Sequence, residues 1–318
     1  MLEPTQSTEP YRAKSCRILT LDGGGAKGFY SLGVLRELEA LAGHPLHQQF
    51  DLIFGTSTGS IIAALLALGF TVDTIHDLYK EHVTKIMRLR SVDDRTRALA
   101  SLSATVFGPA KFDAFKTGVG IVATKWVTER PMIFKGALSQ AHGRTATFVP
   151  GFGCTIADAV HASCSAFPFF SRKIVTTASG DRIELVDGGY CANNPTLYAI
   201  ADATGALGFA HTDIRVVSVG VGVYPQRKPS LLSKMWFAQR LRSVELLQKT
   251  LEINAQSMDQ LRVVLFREVP TIRISDTFSQ PEMATDLFEH DLDKLNILHQ
   301  RGRDSFAMRE PELRKLLL

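Results

Sequence analysis

The sequence predicts an α/β fold of three layers, with a mostly parallel central sheet and helices on both of its faces. Two short apolar runs, CRILTL at 16–21 and FDLIF at 50–54, each lead into a glycine-bearing turn and then a helical apolar pattern. Strand, turn and helix in succession build parallel sheets, because parallel neighbours need a crossover between them. A further buried strand is signalled at 214–221 (IRVVSVGV). The 318 residues suffice for one large domain, or one domain with a helical extension.

In chain order, the polar stretch 1–14 (MLEPTQSTEPYRAK) reads as a flexible tail and lacks the apolar core of a signal peptide. After the first strand comes Asp22-Gly-Gly-Gly, then a helix over 26–41 with Leu32, Leu35, Leu38 and Leu41 three apart. The second strand runs through Gly55-Thr-Ser-Thr-Gly59 into a strongly apolar helix at 60–68. Residues 73–107 read as helical and polar on one side, and 157–166 as a helix stopped by Pro168. RIELV at 182–186 reads as a strand entering Asp187-Gly-Gly. From about 224 the pattern is largely helical, above all at 231–260, with strand-like 263–266 and 271–274. No repeat or long linker divides the chain, so 15–318 is expected to form a single domain.

Composition narrows the function. A hydrophobic share of 45% and a charged share of 21% are those of a globular chain, not a disordered one. The net charge of +4 is too small to indicate a nucleic acid polymer as partner, yet would not repel an anionic membrane. Cys16, Cys154, Cys164 and Cys191 show no C-x-x-C spacing, so no metal site or disulfide framework is indicated. The apolar run 61–70 is too short to span a bilayer, which takes roughly 20 residues. A cytoplasmic protein is the expectation.

Three motifs carry chemistry. In Gly55-Thr-Ser57-Thr-Gly59 the serine falls between a short apolar strand and an apolar helix, the context of a nucleophile elbow. Small residues two before and two after let neighbouring backbone pass close, and the helix N-terminus favours developing negative charge. In Asp22-Gly23-Gly24-Gly25-Ala26-Lys27-Gly28 the glycines let amide groups converge, as an oxyanion hole or a phosphate cradle requires. The Walker pattern fails because Phe29 follows Gly28. The dinucleotide fingerprint fits as Gly23-x-Gly25-x-x-Gly28, but the next strand ends in Phe-Gly-Thr-Ser instead of a ribose-binding acid. A nucleotide-binding module is thereby disfavoured against an oxyanion loop. The third motif is Asp187-Gly188-Gly189, followed by Asn194-Pro195, which resembles a helix start. Alone it reads as a turn around a solvated aspartate; beside the other two, it places an acid where it reaches a serine on a neighbouring strand end.

Together the motifs resemble the patatin-like phospholipase family, which carries D-G-G-G-x-[RK]-G, G-x-S-x-G and D-G-[AG] in this order. Here they are DGGGAKG, GTSTG and DGG, and the likeness covers roughly residues 16–222, including the small-residue stretch HASCSAFPFF at 161–170. The resemblance implies a lipid acyl hydrolase of phospholipase A type with a Ser–Asp dyad. Ser57 would be the nucleophile and Asp187 the proton acceptor. Gly23, Gly24, Gly25, Lys27 and Gly28 would form the oxyanion loop, with Lys27 supporting it, balancing local charge or facing solvent. His211, His290 and His299 follow Asp187 in the order of an α/β-hydrolase triad, so composition leaves that variant open.

LDGGGAKGFYSLGVLRELE and FDLIFGTSTGSIIAALLALG also resemble the bacterial patatin-like effectors of cyclic-oligonucleotide antiphage defence (CBASS, CapV-type). That likeness implies membrane phospholipid as substrate at the inner membrane surface, no cofactor for catalysis, a cyclic dinucleotide as allosteric activator, and a homo-oligomer on activation. It assigns no nucleotide-binding residues. A constitutive lipase without nucleotide control is the alternative. Residues 227–249 hold Arg227, Lys228, Lys234, Arg240, Arg242 and Lys249 against Glu245. Such a helix would lie on anionic lipid or meet a phosphate ligand, but the favoured reading packs Leu232, Trp236, Leu247 and Leu251 on the domain with the charges in water. The same holds for 85–97, with five basic residues and two acids.

Overall fold

The computed structural model describes residues 15–225 and 238–318; of 238–243 the backbone alone is described. The expected tail at 1–14 and the first part of the 227–249 stretch, with Leu232 and Trp236, lie outside the described residues.

The strands are β1 (Cys16–Leu21), β2 (Leu52–Thr56), β3 (Gly118–Lys125), β4 (Arg130–Lys135), β5 (Lys173–Thr176), β6 (Arg182–Asp187), β7 (Ile214–Val219) and β8 (Thr271–Ile274). They form one sheet in the order β5-β6-β3-β2-β1-β7-β8, with β4 also paired to β3. The run β3-β2-β1-β7-β8 is parallel, while β4 and β6 join β3 antiparallel and β5 joins β6 antiparallel. The sheet is thus mixed and mostly parallel.

The helices are α1 (Gly28–Ala42), α2 (Leu46–Gln49), α3 (Thr58–Leu68), α4 (Val72–Leu78), α5 (Thr84–Arg88), α6 (Val92–Phe107), α7 (Ile156–Ser163), α8 (Gly189–Ala192), α9 (Thr196–Gly205), α10 (Ala238–Leu265) and α11 (Leu292–Leu317). Alternation along β1 shows how they divide between the faces. Leu19 and Leu21 join the larger core with α1, α3 and α11, while Cys16 and Ile18 join a smaller core with Ile200 and Ala203 of α9. Thr20 follows Ile18, and its hydroxyl meets Thr196 of α9 at 2.8 Å. Both faces are covered, which is why these strands read as apolar runs. On the larger face α1 and α11 cross closely. A Cβ on Gly33 would lie 2.0 Å from the His299 carbonyl oxygen, and one on Gly302 2.0 Å from that of Tyr30.

Several local readings change. β3, β4 and β5 lie in segments without a strand signal in the sequence. Residues 73–107 hold three α-helices, with a π turn at Tyr79–Val83 between α4 and α5. The strand-like 263–266 instead completes α10, because Val263, Val264 and Leu265 continue its hydrogen-bonding. Helix α7 ends at Ser163, ahead of Pro168, and α9 begins at Thr196, whose amide Asn194 Oδ1 accepts at 3.0 Å. Among the described residues no helix is long and apolar enough to cross a membrane.

Candidate active site

β3 outruns β2, and this difference in length assembles the site. Thr56, the last residue of β2, pairs with Val122, and the next position on β3, Ala123, pairs with Asp187, the last residue of β6. β4 occupies the opposite edge of β3 over Gly120–Lys125. β2 and β6 therefore share one edge of β3 and meet C-terminus to C-terminus, one strand step of about 3.3 Å apart. Ser57 follows immediately, and its Oγ donates to Asp187 Oδ2 at 2.6 Å.

Ser57 has φ 53 and ψ −130, a left-handed conformation that costs a non-glycine residue of order 1 kcal/mol or more. The surroundings hold it there. Its amide donates to Ser163 Oγ at 2.9 Å, and Ser163 donates on to the Val122 carbonyl at 2.6 Å. The flanking glycines permit the turn: a Cβ on Gly55 would sit 2.4 Å from the Gly59 carbonyl oxygen, and one on Gly59 2.5 Å from those of Leu21 and Asp22. Ser163 lies in the small-residue stretch 161–170, where its size was visible in the sequence but its contact with the elbow was not.

Asp187 is held from three directions. Its Oδ1 accepts the Gly189 amide at 2.7 Å, its own amide donates to the Ser165 carbonyl at 3.0 Å, and Oδ2 takes the serine proton donor. The solvated-turn reading of this aspartate fails, because it is 1% exposed. Burial raises its pKa to about 7, against the lowering effect of the Ser57 and Gly189 hydrogen bonds. A carboxyl in that range is a far better proton acceptor at neutral pH than a solvated one.

The glycine loop lies alongside. The Gly23 amide donates to the Asn193 carbonyl at 3.1 Å, while Gly24 and Gly25 border the cavity above Ser57. The Gly24 amide donates to Thr58 Oγ1 at 3.3 Å, and Gly25 opens a 3₁₀ turn, so its N–H has no intrahelical acceptor. Gly28 opens α1. Lys27 is 1% exposed, so the solvent-facing alternative is excluded; its Nζ meets Glu252 Oε1 of α10 at 3.1 Å, in a cleft behind the loop. Burial pushes the Glu252 carboxyl up, but the Lys27 ammonium and the Gln248 amide hold it below its ordinary value. Asp22 is gripped by Arg273, whose Nη1 lies 2.9 Å from Oδ1. These long-range partners left no trace in the sequence.

The cavity in front of Ser57 is almost wholly apolar. Ile61 of α3, Ile86 and Met87 of α5, and Leu99 and Leu102 of α6 form its walls, while Leu247 and Leu251 of α10 and the loop residue Phe288 close it. Arg95 stacks its guanidinium 4.2 Å from the Phe288 ring centroid, so this residue of the 85–97 stretch is buried, not solvated. Leu247 and Leu251 pack inward, in line with the favoured reading of 227–249. Cys164 borders the cavity too, but burial pushes its thiol well above the ordinary value, so it stays protonated.

Among the described residues no histidine lines this cavity. His211 packs on Phe266, His290 lies 3.1 Å from the Phe288 carbonyl oxygen, and His299 stacks on His76 at 4.3 Å. The hydroxyl is paired with a carboxylate directly.

Known proteins resemble this chain. The patatin-like phospholipase family matches residues 19–200. A cUMP-AMP-activated phospholipase of Escherichia coli is 65% identical over 303 residues, which cover 95% of this chain and 94% of the relative. A cGAMP-activated phospholipase of Escherichia coli (strain TW11681) is 28% identical over 243 residues, 69% of this chain and 65% of that one. Mouse calcium-independent phospholipase A2-gamma is 43% identical over 74 residues, 23% of this chain and 10% of its own length. The order of the motifs, the sheet that carries them and these matches agree: the chain belongs to the patatin-like phospholipase family.

Proposed function

We propose that the chain is a phospholipase A-type hydrolase working through a Ser57–Asp187 dyad and switched on by a cyclic dinucleotide in antiphage defence. The observation that carries the chemistry is the 2.6 Å Ser57–Asp187 hydrogen bond at the head of an apolar cavity. The acyl chain occupies that cavity, with its ester carbonyl over Ser57 Oγ. The hydroxyl attacks as its proton passes to Asp187 Oδ2, and the oxyanion is received by the Gly25 amide and by the Gly24 amide, which gives up its long bond to Thr58 Oγ1, each donor contributing roughly 10²–10³ in rate. Lys27 supports the loop by anchoring it to α10. As the tetrahedral intermediate collapses, Asp187 returns the proton to the departing lysophospholipid alkoxide. Water, deprotonated by the same carboxylate, then releases the fatty acid and frees Ser57.

The 65% identical relative supports the switch, and its activator, cUMP-AMP, is the first cyclic dinucleotide to try. Action at the inner face of the membrane and assembly into a homo-oligomer on activation belong to the same reading. The test incubates purified protein with vesicles containing fluorogenic phospholipid, with and without cUMP-AMP and a panel of other cyclic dinucleotides. Ser57→Ala and Asp187→Ala run alongside. Cleavage that survives Ser57→Ala sinks the mechanism. Cleavage indifferent to every cyclic dinucleotide removes the switch and leaves the hydrolase.

A further inference from the structure

The same extension of β3 that brings Asp187 to Ser57 also lifts a hairpin above the site. Val122 is level with the end of β2, and Trp126 is four residues further along, so the β3–β4 tip stands roughly 13 Å beyond the strand end that leads into Ser57. The first half of its Trp126-Val127-Thr128-Glu129 turn is apolar where turns are ordinarily polar: Trp126 is 42% exposed and Val127 77%. Phe167, Ile174 and Tyr190 extend the patch, each at least 36% exposed.

These side chains form one surface. The Trp126 and Phe167 ring centroids are 5.5 Å apart, and the Tyr190 hydroxyl donates to the Phe167 carbonyl. The Trp126 amide donates to the Glu184 carbonyl, and Ile174 pairs with Glu184 on the adjoining strand. Arg172 lies over both rings, 5.0 Å from Trp126 and 5.5 Å from Phe167, and its Nε meets Glu184 at 3.2 Å. Tyr190 is three residues beyond Asp187, which ties the patch to the dyad. Lys125 and Arg130 form the last rung of the hairpin. With Arg172 they set three cations against Glu129 and Glu184, and Glu184 is already paired with Arg172.

We infer that this patch is the face by which the protein docks on a phospholipid bilayer. Trp and Tyr rings with one apolar and one polar edge settle at the boundary between headgroups and acyl chains. An exposed valine at the tip enters the apolar side, while Lys125 and Arg130, one step behind, meet the phosphates. The charge excess is small, so apolar insertion dominates, and binding falls only modestly with salt. Docking by this face sets the Ser57 end of the sheet against the lipid. The inference rests on the phospholipase reading for its meaning, but its binding test is independent of turnover.

The test uses the full chain carrying Ser57→Ala, floated with vesicles of phosphatidylethanolamine and phosphatidylglycerol. Val127→Asp is expected to lower the bound fraction about tenfold and Val127→Trp to raise it severalfold. In the chain with Ser57 intact and cUMP-AMP present, Val127→Asp lowers hydrolysis of vesicle lipid while cleavage of a soluble short-chain ester is unchanged. Flotation unaffected by Val127→Asp overturns the inference. So does an equal fall in soluble-ester and vesicle rates, which would place the effect inside the active site. Light scattering that shows a dimer broken by Val127→Asp, without vesicle binding in the parent, assigns the patch to a second copy and also overturns it. Flotation lost in Val127→Asp, in a chain that cleaves no ester, supports docking while removing the hydrolase reading.

Discussion

Asp187→Asn tests whether the buried carboxylate is carried at a cost to the fold. Burial, only partly opposed by the Ser57 and Gly189 hydrogen bonds, raises its pKa from 3.8 to about 7. The folded chain therefore binds this proton more tightly than the unfolded chain does. Stability contributed by this group falls as pH rises from about 4 to about 7, and is level above. The full raise corresponds to about 4 kcal/mol. Relaxation of the surroundings around a buried charge relieves some of it, leaving ~2–4 kcal/mol. Asparagine is nearly isosteric and uncharged. Its carbonyl takes the Gly189 amide that Oδ1 accepts, and its NH₂ donates to Ser57 Oγ in place of the reverse bond. The variant should thus be more stable than the parent at pH 8 by roughly 3–6 °C in melting temperature, taking an unfolding entropy of ~2.1 cal/mol/K per residue. The gain should shrink as pH falls and approach zero near pH 3, below both the unfolded value of 3.8 and the folded value of about 7, where the parent is protonated in both states. Thermal melts and urea titrations of both proteins at pH 5, 6 and 8 measure it, with phospholipid hydrolysis followed in parallel and expected to vanish. A lower melting temperature for Asp187→Asn at pH 8, or a gain that does not change between pH 5 and 8, would refute the reasoning.

The same carboxyl governs rate in the proposed mechanism: kcat/KM should drop about tenfold from its plateau by pH 6, and a flat profile between pH 5 and 8 would exclude Asp187 as the base. Lys27→Met removes the buried ammonium from Glu252, which keeps the Gln248 amide at 2.9 Å and Lys249 at 3.7 Å, and should cost about 1–3 kcal/mol, most of it restored in Lys27→Met/Glu252→Leu. A double-mutant cycle in urea that shows simple additivity would mean the pair is not coupled. Gly59→Ala drives a Cβ against two carbonyl oxygens and should cost ~1–3 kcal/mol and at least 10²-fold in hydrolysis. Gly43→Ala meets no neighbour within 4 Å and strains only its own φ of 73, so it should cost about 1 kcal/mol and leave hydrolysis as it was.

What the sequence revealed and what it hid follow from the range of the forces involved. β2 and α3 were legible because an apolar run, two glycines and a second apolar run are local signals of a buried strand, a tight turn and a buried helix. β3 was not, although it is the strand on which the site is built. Its glycines weaken the strand pattern, and the reason for one of them is tertiary: a Cβ on Gly120 would lie 2.2 Å from the Phe54 ring. Residues 263–266 misled in the opposite direction, since β-branched residues suit a strand but here close the last turn of a long helix. Asp187 was visible as an acid at a strand end. Its burial was not, because that depends on how far β3 runs past β2. Lys27 is the extreme case: its partner Glu252 lies 225 positions away, and nothing near Lys27 in sequence distinguishes a buried lysine from a solvated one.

In the proposed mechanism, substrate binding and base strength arise from one surface. Ile61, Leu251 and their neighbours exclude water from the space in front of Ser57, and that exclusion does two things at once. It offers an acyl chain an apolar bed, at about 25 cal/mol per Å² of chain buried. It also removes the solvation that would otherwise keep Asp187 a weak base near its ordinary pKa of 3.8. A histidine relay would separate the two functions, because imidazole titrates near neutrality without being desolvated. A Ser–Asp dyad has no such separation: a pocket opened to water to admit bulkier chains would lower the pKa of its own base. Chain preference and pH dependence should therefore shift together in pocket variants. Leu251→Ser, which admits water above Ser57, should lower the activity plateau and move the midpoint of the pH–rate profile downward. A variant that changed chain preference with no shift in that midpoint would show that base strength is set elsewhere than in the acyl pocket.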